Sequence, residues 1–315
     1  MSNLSNKESG DLQVYILSRD RPNFLKEAID SVLNQENSID IELIISDNSE
    51  GEDVRNMIVK NYDLRKFKYF KIDPPLSSND HFQLVVAKLN KEFAILLHDD
   101  DIVSSNYIYD MFNAIKNDSS VAIGCNAKIF NINILDAKKN THNFDKPKRF
   151  NNEKFFLNQY LPGNGGNAPY SSYIYRTKYL KKAFLNIPIK GKHSDVAMLS
   201  TLLSFGEILW LEKKLIYYRV HDSNDSVIEN IPDRIRLMNY MKKKGIDRNS
   251  INFILFRILF WYRWIDYQGL SLKNLQNLKF RKVLFSILLK IFKLSHKLSF
   301  WLIIFYVTKK KMKNI

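Results

Sequence analysis

The sequence predicts an α/β fold in which helices cover a mostly parallel central sheet, and three observations support this. Short apolar runs alternate with segments of helical periodicity over about the first hundred residues. Residues 93–97 are apolar at five consecutive positions, which is typical of a strand that is buried on both faces. In addition, 45% of the 315 residues are apolar, which is enough to bury a large core.

Each predicted strand in the first hundred residues is a short apolar run, and each predicted helix repeats apolar residues at helical spacing. In the first helix, the apolar residues at 25, 28 and 32 share one face, and Pro22 suits the first turn. In order, the predicted elements are strand 14–17, helix 24–33, strand 41–45, helix 54–59, strand 67–72, helix 80–89 and strand 93–97. Right-handed crossovers between parallel strands are expected for this order.

Beyond residue 102 the pattern is less regular. Gly and Pro are dense at 161–169, which predicts an irregular loop, and charged and polar residues at 135–150 predict a surface loop. The other predicted elements are helix 107–115, strands 121–124 and 127–130, helix 196–203, strands 208–211 and 215–220, and a linker at 222–232.

The charge of the chain is unevenly distributed. The formal net charge is +15, yet residues 241–315 hold 17 Lys and Arg against two acids, so the rest of the chain is balanced. This excess indicates an anionic partner for the C-terminal quarter, either a membrane surface or nucleic acid. The single cysteine, Cys125, excludes a disulfide framework and fits a reducing compartment. Residues 1–11 are polar and are expected to be a flexible N-terminus without a secretory signal.

The acidic run Asp99-Asp100-Asp101, which follows His98, is the most informative feature for function. It comes directly after the predicted buried strand 93–97, and ligands of open α/β sheets bind outside the carboxyl ends of the strands. Three neighbouring carboxylates repel one another unless a cation compensates them, and Mg²⁺ or Mn²⁺ prefers such oxygen ligands. The run therefore predicts a metal-dependent site for a phosphate-bearing ligand, with a solvated acidic cluster as the alternative.

Four motifs in this order resemble the family 2 glycosyltransferases, which have the GT-A fold. They lie at residues 14–21, at 42–49, at 97–102, and in the pair Ser194-Asp195 with the later 218–221. The resemblance covers roughly residues 12–225. There are departures, since Asp20, His98 and Ser194 stand where such enzymes commonly have Asn, Asp and Glu.

The resemblance implies a role for several residues. Ser18 and Arg19 match the turn that lines the nucleotide pocket, and Asp47 matches the acid that binds the nucleobase. The acidic run matches the DxD motif, in which Asp99 and Asp100 contact the donor and Asp99 and Asp101 hold the metal. Asp195 matches the general base.

Two further residues carry weaker expectations. His221 lies where some related enzymes place a further metal or diphosphate contact, although it could also be a solvated loop histidine. Asn79 is expected to support the donor pocket. His81 is expected on a helix surface.

The implied activity is an inverting, metal-dependent transfer of a sugar from a nucleotide-diphosphate donor to a hydroxyl of a glycan. A carboxylate at Asp47 accepts hydrogen bonds only, which favours uridine weakly over guanosine or thymidine. The alternatives are a polyprenyl-phosphate glycosyltransferase, or a peripheral membrane protein that binds a nucleotide-sugar without turnover. A sugar-1-phosphate nucleotidyltransferase is disfavoured, because no glycine follows the first strand.

The C-terminal region, residues 226–315, is predicted to be basic and helical and to associate with membranes, after a catalytic domain at 12–225. Residues 281–315 contain nine Lys and Arg and no acid, and the Lys at 290, 293 and 297 share one helical face. Such a basic amphipathic helix suits an anionic lipid surface. The apolar run 298–307 is shorter than the ~20 residues that a spanning helix needs.

These features predict a cytoplasmic protein, peripheral on the inner face of the cell membrane, with a lipid-linked glycan acceptor. The alternative for the C-terminal helices is that they pack on the catalytic domain. Nucleic acid is not expected as a partner, because the aromatic residues are interleaved with a large aliphatic surface.

Overall fold

A computed structural model describes residues 10–267 apart from 38, 138, 188–190 and 222–230, and in the last helix it describes side chains as far as Phe260. The predicted linker at 222–232 falls almost wholly on residues that are not described. The predicted membrane helix at 281–315 lies outside the described residues altogether.

The helices and strands alternate regularly as far as the acidic run and less regularly after it. The first part comprises β1 (Leu12–Ser18), α1 (Pro22–Leu33), β2 (Ile41–Asp47), α2 (Asp53–Asn61), β3 (Lys68–Lys71), α3 (Ser78–Lys88) and β4 (Phe93–His98). The second part comprises β5 (Ile102–Val103), α4 (Tyr107–Lys116), β6 (Ala122–Phe130), β7 (Lys139–Asn140), β8 (Lys148–Phe150), α5 (Glu153–Asn158), β9 (Ile174–Arg176), α6 (Thr177–Leu185), α7 (Ser194–Leu202), β10 (Ile208–Arg219), α8 (Ile231–Lys243) and α9 (Ile251–Tyr267).

Within the described residues, ten strands form one mixed sheet whose main path runs β3-β2-β1-β4-β9-β6-β10-β5. Strands β1 to β4 are mutually parallel in this path, and β6 is parallel to β10. The short strand β9 is antiparallel to both of its neighbours, β4 and β6. The predicted α/β class with a mostly parallel sheet is therefore confirmed.

Apolar layers cover both faces of the sheet. On one face, side chains such as Val14, Ile16 and Ile95 pack against α1, α2 and α4. On the other face, Tyr15 and Leu96 pack among residues of α3, α6 and α7. Since both faces are covered, the central strands are apolar at successive positions, and this is the pattern by which the sequence revealed them.

The second half departs from the prediction in ways that have physical reasons. The two strands predicted at 121–124 and 127–130 are one strand, β6, because Asn126 is buried with its amide donating to the carbonyl of His142 at 3.0 Å. The strands predicted at 208–211 and 215–220 are likewise one strand, in which the polar residues between them form register irregularities. The predicted surface loop at 135–150 contains β7 and β8.

The described part of the C-terminal region packs on the catalytic unit. Phe253 and Phe256 of α9 share a core with Leu237 of α8, Leu157 of α5 and Val196 of α7. None of the described helices has the length and apolar character that a membrane-spanning helix requires.

Candidate active site

The ends of three neighbouring strands assemble the site. Ser18 at the end of β1 is paired in register with Asp47 at the end of β2, and Leu17 is paired with His98 at the end of β4. The parallel arrangement therefore brings the predicted nucleotide-binding residues and the acidic run to one edge of the sheet.

Hydrogen bonds hold the turn after β1 against the segments that follow β2 and β4. The backbone N–H of Arg19 donates to Asp99 Oδ2 at 3.0 Å, and that of Asp20 donates to Ser49 Oγ at 2.7 Å. Asp20 has φ of 55°, in the left-handed region that Asp and Asn adopt more readily than other non-glycine residues. Its carboxylate accepts from the N–H of Glu50 at 3.0 Å, so the strained residue is tied to the neighbouring loop.

Asp47 is buried and oriented by two donors. One carboxylate oxygen accepts from the Tyr69 hydroxyl at 2.8 Å, and the other accepts from the N–H of Ser49 at 3.0 Å. Burial, and then the hydrogen bond to Asp47, raise the pKa of Tyr69, so the phenol stays a donor. Because a carboxylate has about four lone-pair sites, acceptor capacity remains for a ligand N–H.

A pair of hydrogen bonds between Asn48, next to Asp47, and Leu76 was not predicted from the sequence. The side-chain amide of Asn48 donates to the carbonyl of Leu76 at 2.9 Å and accepts from its N–H at 2.7 Å. The Arg19 guanidinium reaches the same carbonyl at 3.4 Å. The segment before α3 is thereby held against the nucleotide-binding turn.

The three carboxylates of the acidic run are buried, and two of them share Arg21 as a partner. Asp99 contacts Arg21 at 2.5 Å, and Asp100 contacts Arg21 at 2.8 Å and His221 Nε2 at 3.0 Å. Asp101 accepts from the Ser171 hydroxyl, and from the backbone N–H of Arg219 at 3.2 Å.

Burial and mutual repulsion set the charge of this run. Burial raises the pKa of Asp99 to about 7, although Arg21 acts in the opposite direction. Burial and the charge of Asp100 raise the pKa of Asp101 to about 8. For Asp100 burial also acts upwards, but His98, Arg21 and His221 hold its pKa below the usual value. The run would therefore release protons if a cation were bound.

A metal ion could be held by His98, Asp100 and Asp101, whose ligand atoms all lie within 4.8 Å of one another. One nitrogen and two carboxylate oxygens suit a divalent ion, so the donor set fits the group that the sequence implies. The predicted ligand Asp101 belongs to this group. The predicted ligands Asp99 and His221 lie beside it, bonded to Arg21 and Asp100 respectively.

Asp195, the predicted base, lies in the first turn of α7. Its Oδ1 atom is buried and has no hydrogen-bond partner among the described residues. Burial raises the pKa of this carboxyl to about 6, while the N–H groups of Asp195 and Val196 act in the opposite direction. A carboxylate whose pKa lies near neutrality and whose oxygen lacks a partner is suited to accept a proton.

A hydrogen bond links the two sides of the site. The Ser194 hydroxyl at the start of α7 donates to Asn79 Oδ1 of α3 at 2.8 Å. The predicted donor-pocket residue Asn79 therefore lies next to the predicted base, a proximity that sequence spacing does not reveal.

Several residues of the site are not predictable from the sequence pattern, or lie elsewhere than predicted. Arg21, Ser171 and Arg219 all contact the acidic run. Of these, Arg21 and Arg219 could have been noticed, because they lie in the motifs at 14–21 and 218–221. The expectation that His81 lies on a helix surface is wrong. Its ring is buried at 2.7 Å from Ser46 Oγ, and burial lowers its pKa to about 4.

Comparison with known proteins agrees with this geometry. The family described as glycosyl transferase family 2 matches residues 13–184, more than half of the chain. An uncharacterized glycosyltransferase of Nostoc sp. PCC 7120, alr2836, is 25% identical over 226 residues, which are 68% of this chain and 66% of that protein. The matched region thus spans slightly less than two thirds of the relative.

Solved structures show the same fold. The crystal structure of S. aureus TarS 1-349 is similar with a TM-score of 0.54 at 13% identity, over 84% of this chain and 73% of that one. The structure of the same protein in complex with UDP-GlcNAc gives a TM-score of 0.57 at 14% identity, over 81% and 72%. With the family match extending from β1 through the acidic run to α6, the chain belongs to glycosyl transferase family 2.

Proposed function

We propose that this chain is an inverting, metal-dependent glycosyltransferase that moves a sugar from a UDP-sugar to a hydroxyl of a glycan acceptor. The observation that carries the proposal is the meeting of a buried acidic run and an oriented Asp47 at one sheet edge. Beside it, α7 is bonded to Asn79 of α3 and carries Asp195, whose Oδ1 atom has no hydrogen-bond partner among the described residues. Family membership supports the reaction class, and the complex of TarS with UDP-GlcNAc supports a uridine nucleotide.

The donor side is assigned to the edge formed by β1, β2 and β4. Asp47 accepts a hydrogen bond from the nucleobase, and the turn at Ser18 and Arg19 lines the nucleotide. His98, Asp100 and Asp101 would hold Mn²⁺ or Mg²⁺, and the bound ion would supply positive charge to neutralise the leaving diphosphate. Asp99 stays paired with Arg21 and orients the turn after β1.

The acceptor side is assigned to the start of α7. Asp195 takes the proton of the acceptor hydroxyl as the oxygen attacks the anomeric carbon. The bond from that carbon to the diphosphate breaks in the same displacement. With one base and no covalent intermediate, the configuration at the anomeric carbon inverts.

The acceptor is assigned to a lipid-linked glycan of surface polysaccharide assembly. The support for this part is the basic, apolar composition of residues 241–315, which suits a protein that is peripheral on the inner face of the cell membrane.

A panel of nucleotide-sugars, scored by release of nucleoside diphosphate, tests the reaction class. Turnover of one donor with Mn²⁺ or Mg²⁺, abolished by EDTA, is the expected result. Hydrolysis of the donor without added acceptor would separate an active enzyme from a pure binder. Absence of both turnover and metal-dependent nucleotide binding would overturn the proposal.

A further inference from the structure

A cavity of about 310 Å³ lies between the Gly- and Pro-rich loop that follows α5 and the two C-terminal helices. Its walls include Tyr160 and Leu161 on the loop side, Arg234 on α8, and Phe256 and Leu259 on α9. The volume is at the lower end of the range of small-molecule sites, about 300–1,000 Å³, so it suits one portion of a larger ligand.

The cavity adjoins the start of α7, where Asp195 lies, because Leu161 and Phe256 of its walls share a core with Val196. Tyr160 of the cavity wall is partly buried, and the charge of Asp195 adds to desolvation in raising the pKa of its phenol. On the opposite wall, Arg234 acts with burial to lower the pKa of His193 to about 3, two residues before Asp195. Both walls therefore lie within electrostatic reach of the residues around the proposed base.

The shape of the loop depends on α9. Asn252 of α9 donates to Asn164 Oδ1 at 2.8 Å, and Asn164 in turn donates to the carbonyl of Asn158 at 2.6 Å. Gly163, which lines the cavity, has φ of 86°, a conformation that other residues adopt only with strain. Hydrogen bonds therefore hold the Gly- and Pro-rich loop and α9 together on one side of the cavity.

The chemistry of the walls indicates an anion attached to an apolar group. The aromatic side chains of Tyr160, Phe256 and Phe260 form much of the apolar part of the lining. Polar residues such as Gln159 lie beside them, and the described lining residues include no Asp or Glu. The Arg234 guanidinium lies over the Phe256 ring at 4.9 Å and over the Phe260 ring at 5.5 Å. A guanidinium held in this way suits a phosphate, and the apolar rings around it suit a hydrocarbon chain.

We infer that this cavity binds the acceptor through its carrier, an isoprenoid phosphate, with the phosphate at Arg234 and the first apolar units against Phe256 and Leu259. The inference rests on the proposed function, because it takes Asp195 as the base and a lipid-linked glycan as the acceptor. The sequence after α9 supports the choice of a lipid, because the residues that follow this helix are basic and apolar.

Binding of geranyl phosphate to the full chain, measured by calorimetry below its micelle concentration, tests the inference. Inorganic phosphate tests the contribution of the ligand's charge, and geraniol tests that of its hydrocarbon chain. Both are expected to bind more weakly than geranyl phosphate. Arg234→Gln is expected to weaken binding about 10- to 100-fold, the effect of losing a charged hydrogen bond. Leu259→Trp is expected to abolish binding by filling the cavity without removing a packed side chain.

Arg236→Gln is the matched control, because Arg236 is an arginine of the same helix that does not line the cavity; it pairs with Asp233. UDP-sugar binding and donor hydrolysis, measured on the same samples, are expected to be unchanged in all three variants. A wild type that neither binds nor hydrolyses a donor would count against the proposed function. Normal donor binding with no saturable geranyl phosphate binding, or with binding unaffected by Arg234→Gln and Leu259→Trp, would overturn this inference alone.

Discussion

Replacing Asp195 by Asn is expected to make the protein more stable and much less active. One carboxylate oxygen is buried, and desolvation raises the pKa of this group from 3.8 to about 6. Between pH 3.8 and about pH 6, Asp195 is therefore protonated in the native state and ionised in the unfolded chain. Above pH 6 both states are ionised, and the native state carries the full cost of the buried charge, which asparagine does not carry.

The magnitude follows from the shift in pKa. A difference of about two units corresponds to about 3 kcal/mol in the free energy of unfolding at pH 8, since one unit equals about 1.4 kcal/mol. The gain should fall to roughly half at pH 5 and vanish below pH 3.8, where both states of the wild type are protonated. Loss of a general base lowers activity by about 10²- to 10⁴-fold.

Urea unfolding of the wild type and of Asp195→Asn at pH 8 and pH 5 measures the stability difference. Asp53→Asn is the matched control, because Asp53 also lies in the first turn of a helix but is exposed. It should bring no gain in stability. A destabilised Asp195→Asn protein, or a gain that does not depend on pH, would refute the reasoning about the buried charge. Full activity of that variant would exclude Asp195 as the base.

Three further outcomes are expected. With metal at saturation, kcat/KM should rise with pH through about 6 as Asp195 loses its proton, and a flat profile down to pH 5 would contradict this. His98→Asp should remove the nitrogen coupling from the pulsed EPR spectrum of bound Mn²⁺. It should also shift the metal preference towards Mg²⁺, because Mg²⁺ prefers oxygen ligands. A nitrogen coupling that persists would indicate that His221 is the ligand instead. Arg21→Gln should lower the free energy of unfolding by about 1–3 kcal/mol in the absence of metal, and added Mn²⁺ should restore part of it. The exposed pair of Arg65 and Asp63 is the control, since Arg65→Gln should cost less than about 1 kcal/mol by urea unfolding.

The first half of the fold could be predicted because its strands are buried on both faces and are apolar without interruption. The same property placed the predicted Ser18, Asp47 and acidic run at one edge, since each follows such a strand. The second half could not be predicted in detail. Strand β9 has three residues and α5 has six, so their periodicity is too short to detect, and they form through contacts with distant parts of the chain.

Contacts within the site were predictable only where they follow from strand order. The bond between Ser194 and Asn79 joins residues that are 115 positions apart, and Ser171 reaches Asp101 across 70 positions. No local pattern encodes such pairs. Arg219 lay in a recognised motif, but its backbone contact with Asp101 depends on the irregular register of β10.

The packing of α9 has a practical consequence for where the chain can be shortened. Phe253 and Phe260 are almost completely buried, and Asn252 holds the loop around Gly163. A chain that ends at residue 250 would lose these side chains, each at a cost of about 3–5 kcal/mol if it resembles other buried aromatic deletions. If such a shortened chain were tested for flotation with anionic vesicles and did not float, the result would indicate a damaged fold as much as a missing membrane-binding segment. A chain that ends at residue 267 keeps this core intact, so comparing it with the full chain isolates what the last 48 residues contribute to lipid binding.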